Sequence, residues 1–185
     1  MSKKLAIVFP GAGYHCDKPL LYYAKKIAKN KDYEIIEANY DFREFVKNIK
    51  EDAEATQKAL DFGFQRVSEQ LKKVDFAGYE KIVFIGKSIG TAIAAKYNRE
   101  NEIGAEQIVF TPIEASFSYL NPCDGFVFHG TADPLCDTDM CVQLCEQMSL
   151  TYAVIPDANH SLETGDVATD LKNMERIMSI VDSLM

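Results

Sequence analysis

A chain of 185 residues and 20.8 kDa suffices for one ordinary domain, and 47% hydrophobic with 26% charged residues fits neither a disordered tract nor a fibrous repeat. At this length roughly 70% of the unfolded surface can be buried, enough for a core without disulfide or metal staples. Lys plus Arg number 20 against 28 Asp plus Glu, and the resulting net charge of −8, with no dense basic stripe, argues against nucleic-acid binding.

The first strand is read at residues 5–9, a continuous apolar run that is β-branched in part. It follows Ser2-Lys3-Lys4, but it is too short for a secretory core and stops at Pro10-Gly11. Residues 17–29 read as a helix with Leu20, Leu21, Ala24, Ile27 and Ala28 on one side, and residues 33–40 as a second strand. Phe42, Phe45, Val46 and Ile49 recur at helical spacing. A longer helix follows over 52–73, using Ala53, Leu60, Phe64, Val67 and Leu71, with Gly63 as its weak point.

The third strand is expected at 81–85, with a helix at 89–97 after it. The fourth, at 107–111, is stopped by Pro112, and residues 112–124 form a modest loop. The fifth strand is expected at 125–128 and a helix near 138–148, carrying Cys141, Leu144, Cys145 and Met148 on one face. The sixth strand is read at 151–155, and a last helix at 167–184 carries Val167, Leu171, Met174, Met178 and Val181.

Alternation of strand and helix predicts an α/β fold: one domain over residues 1–185 with a mostly parallel six-stranded sheet, joined by right-handed crossovers and covered by helices on both faces. No run approaches the ~18 apolar residues of a membrane span, so no membrane partner is expected. The five cysteines, at 16, 123, 136, 141 and 145, form no CxxC pair and no Cys/His array at zinc spacing. They read as small buried hydrophobes in a reduced, cytoplasmic chain. In open sheets of this kind ligands bind beyond the carboxyl ends of the strands, and the chemistry is sought there.

The third strand runs into Gly86-Lys87-Ser88-Ile89-Gly90, a G-x-S-x-G pentapeptide between a predicted strand and a predicted helix. A turn that lifts the Ser88 hydroxyl above the sheet leaves no room for side chains two residues before and after it. The bland alternative is a glycine-rich loop with a capping serine. The fifth strand ends in Phe128-His129-Gly130-Thr131-Ala132-Asp133-Pro134, and the sixth in Pro156-Asp157-Ala158-Asn159-His160. Alone, Asp133 is a turn residue and His160 a solvated loop residue. Together they place a hydroxyl, a carboxylate and an imidazole at three strand ends of one sheet edge. The imidazole takes the serine proton, and the carboxylate fixes its tautomer.

The first strand ends in the glycine-rich turn Pro10-Gly11-Ala12-Gly13-Tyr14. Such a turn can present a backbone N–H to a developing oxyanion, from Ala12 first and Gly13 second, with the N–H of Ile89 as the other donor. A dinucleotide loop is the rival reading of Gly11-Ala12-Gly13. The third glycine it needs falls on Cys16, and the acidic residue expected about 20 positions on has no clear candidate at a strand end, Glu37 being read as mid-strand.

With Gly86-Lys87-Ser88-Ile89-Gly90, His129-Gly130-Thr131-Ala132-Asp133-Pro134 and Asn159-His160-Ser161, the chain resembles the α/β-hydrolase superfamily over nearly its whole length. It is nearest the small, capless, dienelactone-hydrolase-like and serine-esterase branch. The resemblance implies Ser88 as nucleophile, Asp133 as acid, His160 as base, and hydrolysis of a carboxylic ester or related acyl substrate through an acyl-enzyme, without metal or organic cofactor. Thioesterase, acyltransferase or peptidase chemistry uses the same triad, and a binding domain that kept the fold is the non-enzymatic alternative.

The chain departs from that pattern in four ways. Its first strand matches the third of the family's usual eight, so the antiparallel edge pair is missing. The common His-Gly of the oxyanion turn is Pro10-Gly11, no insertion is long enough for a cap, and Ser88 stands where dienelactone hydrolases proper carry cysteine.

Around this site, Tyr14, Lys87, Phe117 and Tyr119 are the candidate substrate-binding residues. Lys87 is read as solvated, with attraction of an anionic acyl group as the alternative. Phe117, Tyr119 and Leu120 form either a pocket wall or a cover for the core. His15 is read as a rim residue and His129 as a support for the Asp133 loop, while Asp157 or Glu163 would substitute as the carboxylate only if Asp133 pointed away. The substrate and the oligomeric state are not legible in the sequence.

Overall fold

The computed structural model describes residues 3–42 and 53–185. Six strands, β1 (Lys4–Phe9), β2 (Tyr33–Glu37), β3 (Lys81–Lys87), β4 (Glu106–Phe110), β5 (Phe126–Gly130) and β6 (Thr151–Ile155), form one sheet in the order β2-β1-β3-β4-β5-β6. Every pairing is parallel, so the sheet is wholly rather than mostly parallel. The helices are α1 (Pro19–Asn30), α2 (Ala53–Leu71), α3 (Ile89–Glu100), the short α4 (Glu114–Phe117), α5 (Thr138–Gln147) and α6 (Val167–Leu184). A 3₁₀ turn at Phe76–Gly78 precedes β3.

A parallel sheet buried on both sides needs apolar residues at consecutive positions, and β1 supplies them from Leu5 to Phe9, none exposed. Ala6 and Val8 point to the layer of α1 and α6, against Leu20, Leu21, Ala24, Ile177 and Val181. Leu5, Ile7 and Phe9 point to the layer of α2 and α3, against Leu60, Val67, Ala92 and Ile93. Val109 and Val127, from β4 and β5, extend that second layer onto Cys141 and Cys145 of α5. α1 starts at Pro19, and the Asp137 and Asp166 side chains cap α5 and α6 by accepting from Met140 N–H at 3.0 Å and Thr169 N–H at 2.9 Å.

The α2 helix runs unbroken through Gly63, because a side chain there would collide with Ile93 of α3. The absent side chain lets the two helices approach. The helical spacing read over Phe42, Phe45, Val46 and Ile49 falls, beyond Phe42, outside the described residues. Among the described residues no helix is long and apolar enough to cross a membrane.

The chain leaves β1 toward β2 on one side and later enters β3 on the other, so the strand order reverses between β1 and β3. The carboxyl ends of those two strands splay a crevice at that point.

Candidate active site

Ser88 lies between β3 and α3 with φ +56° and ψ −129°, a backbone state that a side-chain-bearing residue seldom adopts. Its surroundings hold it there. Its N–H donates to the Phe110 carbonyl at 3.0 Å, and its carbonyl accepts from the Thr91 N–H at 2.9 Å and the Thr91 hydroxyl at 2.6 Å. The flanking glycines are required by close approach. A Cβ on Gly86 would come within 2.8 Å of Thr91 Cα, and one on Gly90 would overlap the Phe9 carbonyl oxygen. The turn therefore aims the Ser88 hydroxyl above the sheet edge.

The loop after β6 brings His160 to it. Thr111 donates its hydroxyl to the His160 carbonyl at 3.0 Å, and the Asn159 side chain accepts from the Ser161 N–H at 2.7 Å. The ring Nε2 lies 2.8 Å from Ser88 Oγ, and Nδ1 lies 2.8 and 2.9 Å from the two carboxylate oxygens of Asp133. The Asp133 carboxylate is fully shielded from solvent and also accepts from the Leu135 N–H at 2.9 Å. Burial pushes the Asp133 carboxyl up, but the bond and charge of His160, the Leu135 N–H and the charge of His129 outweigh it and hold the group below its ordinary value. It stays ionised beside the ring.

The turn after β1 completes the edge. Gly11 and Tyr14 exchange two backbone bonds, at 3.0 and 3.1 Å, which leaves Ala12 and Gly13 at the tip. Ile89 is the first residue of α3, and its N–H is among those a helix leaves without an intrahelical partner. Because α1 begins only at Pro19, the glycine turn does not open into a helix as a dinucleotide loop must.

A cleft of about 320 Å³ lies over these groups, lined by Ala12, Gly13, Tyr14, Ser88, Leu135 and His160 among others. Lys87 also lines it and is buried rather than solvated, its ammonium 5.0 Å from the centre of the Tyr14 ring. The Lys18 ammonium lies 5.3 Å from the same ring, a second cation–π contact. Tyr14 accepts from the Leu20 N–H at 3.1 Å, and burial pushes its phenol up to about 12 against that bond.

Phe117 and Tyr119 are not among the residues lining the cleft. Phe117 is buried in the core beside Leu120 and Val127, and Tyr119 packs against it with Lys96 over its ring at 5.5 Å. His15 projects into solvent next to Asp17. His129 is buried at the end of β5 and meets Thr138 Oγ1 at 3.1 Å, and burial holds its ring below the usual imidazole range against the pull of Asp133 and Asp137. The ring of His160 meets Asp133 rather than needing Asp157, whose N–H is taken by Thr131 Oγ1 at 2.7 Å. Sequence reasoning did not single out Thr111, Thr91 or Ser116, whose hydroxyl lies 2.6 Å from that of Thr91. Hydroxyls that support a site through the backbone leave no spacing signal.

A larger groove of about 480 Å³ lies against α1 and β2, but it holds no serine, cysteine or histidine. Its Lys25 is paired with Asp17 at 3.3 Å and Glu37 at 2.6 Å.

No family model matches the chain, and no curated protein matches it in sequence. Solved structures do. An α/β serine hydrolase homologue from Coxiella burnetii superposes with a TM-score of 0.68 at 14% identity, over 97% of this chain and 85% of that one. The chain has the α/β-hydrolase fold. The esterase Est1E from Butyrivibrio proteoclasticus, solved with ferulic acid, gives 0.69 at 13% identity over 100% of this chain and 88% of its own. A Xanthomonas campestris α/β serine hydrolase described as lacking a lid gives 0.61 at 14% identity over 100% and 84%. Within this α/β-hydrolase fold, the elbow after β3 and the loops after β5 and β6 carry Ser88, Asp133 and His160.

Proposed function

We propose that the chain is a serine hydrolase that cleaves a small carboxylic ester through an acyl-enzyme. The observation that carries this reading is the continuous line from Ser88 Oγ through the His160 ring to the buried Asp133 carboxylate, with 2.8 Å at each junction. A serine hydroxyl becomes a competent nucleophile when an imidazole can take its proton as it attacks. His160 is placed to do so, and the ionised Asp133 stabilises the imidazolium that forms.

In the first half-reaction Ser88 Oγ adds to the acyl carbonyl while its proton passes to His160 Nε2. The negative oxygen of the tetrahedral intermediate is held by the N–H of Ile89 and that of Ala12, with Gly13 as the alternative donor at the turn tip. The intermediate collapses as His160 returns the proton to the leaving alkoxide, which departs as the alcohol. Water then adds to the acyl-serine with His160 again accepting a proton, and collapse releases the acid and restores Ser88. Every proton and bond in this cycle is carried by side chains, backbone N–H groups and water.

A cleft of about 320 Å³ lies at the small end of ligand pockets, which run from roughly 300 to 1,000 Å³. It suits a short acyl group, with Leu135 and Pro134 as its apolar side. Tyr14, with Lys87 on one ring face, forms the opposite side and orients the acyl chain. Phe117 and Tyr119, which pack in the core, have no part in that role.

A fluorophosphonate probe with peptide mass spectrometry tests the reading. Label on Ser88, lost in His160→Ala, is expected. A folded protein that takes no label would mean a retained fold serving as a binding domain. Turnover of short p-nitrophenyl esters in preference to acyl thioesters and aminoacyl amides is expected of an esterase, and the opposite order would assign the triad to another leaving group.

A further inference from the structure

Among residues that flank the Asp133 loop and do not line the cleft, folding gathers donors that are scattered along the chain. His129 at the end of β5, Cys136 in the loop before α5 and Cys141 in the first turns of α5 each offer one ligand atom, and these atoms all lie within 4.8 Å of one another. All three residues are buried. The thiol of Cys141 also meets that of Cys145, one helical turn further along α5 and fully buried. The cluster is therefore one imidazole nitrogen and two sulfurs, with a third sulfur beside them.

A second observation points to a ligand. The His129 ring is 1% exposed, and its Nδ1 is a buried atom without a hydrogen-bond partner. Buried polar atoms are rarely left so, because desolvation is then uncompensated. The other nitrogen is satisfied: Nε2 lies 3.1 Å from Thr138 Oγ1. In the tautomer whose Nε2–H donates there, Nδ1 carries a bare lone pair. A histidine whose second nitrogen is fixed by a neighbouring acceptor is the usual arrangement of a metal ligand.

We infer that His129, Cys136 and Cys141 bind one thiophilic divalent cation of the zinc class. Zinc takes sulfur at ~2.3 Å and nitrogen at ~2.0 Å in a tetrahedron, so its ligand atoms stand roughly 3.5 Å apart. Small side-chain rotations bring donors within 4.8 Å to that spacing. Cys136 and Cys141 each lose a thiol proton to solvent as the two metal–sulfur bonds form. Two thiolates and a neutral imidazole then balance the dication, which suits a dry core. Asp133 lies between His129 and Cys136 in the chain, so the cation clamps the loop that carries this carboxylate at both of its ends. The site is structural and lies apart from the cleft over Ser88.

The test uses reduced, metal-stripped full-length protein titrated with cobalt(II) and then zinc(II). One cobalt per chain with thiolate-to-cobalt charge-transfer absorption, displaced by zinc, is expected. That absorption should disappear in Cys136→Ser and Cys141→Ser and persist in Cys123→Ser, whose thiol is exposed. Should the serine variants fail to fold, wild-type alkylation decides. Zinc should slow native iodoacetamide labelling of Cys136 and Cys141 by about tenfold or more and leave Cys123 unchanged. A cooperatively folded wild-type protein with no charge-transfer band, a band that survives both substitutions, or alkylation indifferent to zinc would each overturn the assignment.

Discussion

The imidazole of His160 reaches Ser88 Oγ at 2.8 Å although 72 residues separate them. That distance is set by two loops, one shaped by the glycine-flanked turn before α3 and one held by the Thr111 bond to the His160 carbonyl, and both are anchored at the end of β4 through Phe110 and Thr111.

Removing the reacting groups should abolish turnover rather than binding. Ser88→Ala and His160→Ala are each expected to lower kcat by about 10⁴–10⁶, and Asp133→Asn by about 10⁴, with KM little changed. Steady-state kinetics on a p-nitrophenyl ester measures this. A Ser88→Ala protein that keeps full activity would remove the mechanism altogether.

The acid limb of the rate profile should report one proton. Asp133 is held below the ordinary carboxylate value, so it remains ionised while His160 takes up its proton and stops acting as base. A log-rate plot of unit slope on the acid side is expected to persist through pH ~4, where an ordinary Asp would titrate. A slope of two would mean that Asp133 protonates in the same range.

The same lowered carboxyl makes a stability prediction. A group whose folded value lies below its unfolded one stabilises the fold fully above the unfolded value, ~3.9 for Asp, and loses that contribution as pH falls through the folded value. The Tm gap between wild type and Asp133→Asn should therefore narrow as pH falls below ~4. Thermal melts by circular dichroism across that range supply the check.

Thr111 should act as a positioning residue. Thr111→Val keeps the shape and the β-branch but removes the hydroxyl that donates to the His160 carbonyl. A fall in kcat of about tenfold, equivalent to ~1.4 kcal/mol, with unchanged KM is expected, because the ring loses its anchor but the cleft does not change. A merely structural role would lower Tm and leave kcat per folded molecule as it was.

The elbow glycines should resist even a methyl group. Gly90→Ala drives a Cβ into the Phe9 carbonyl, backbone that cannot swing aside, and should cost about 1–3 kcal/mol or more of stability. Gly13→Ala meets nothing within 4 Å and is strained only by its φ of +76°. Its loss should be about 1 kcal/mol. Denaturant melts rank the two.

Much of this architecture was legible because it depends on local pattern. Apolar runs such as residues 5–9 and the spacing of Val67 and Leu71 mark buried strands and one-sided helices, and residues 151–155 and 167–184 were delimited as they fold. Strand ends shifted where pairing continues past the apolar run. β5 extends to Gly130 because His129 and Gly130 pair with Val154 and Ile155, whereas β2 stops at Glu37, opposite Val8. Three features left no local pattern to read. Four-residue α4 is too short to show a period. The burial of Lys87 depends on the Tyr14 ring, far away in the chain. His129, Cys136 and Cys141 share no regular interval, and only the crossover from β5 to α5 brings them together.

The serine turn, the glycine turn and the loops carrying Asp133 and His160 hang from the ends of β1, β3, β5 and β6, so the proposed catalytic apparatus is spread from Gly11 to His160. No truncated or half-synthesised polypeptide ending before β6 contains a proton acceptor for Ser88. Turnover is consequently a reporter of whole-chain folding: a protein nicked between β5 and β6 should regain it only as the two pieces reassociate.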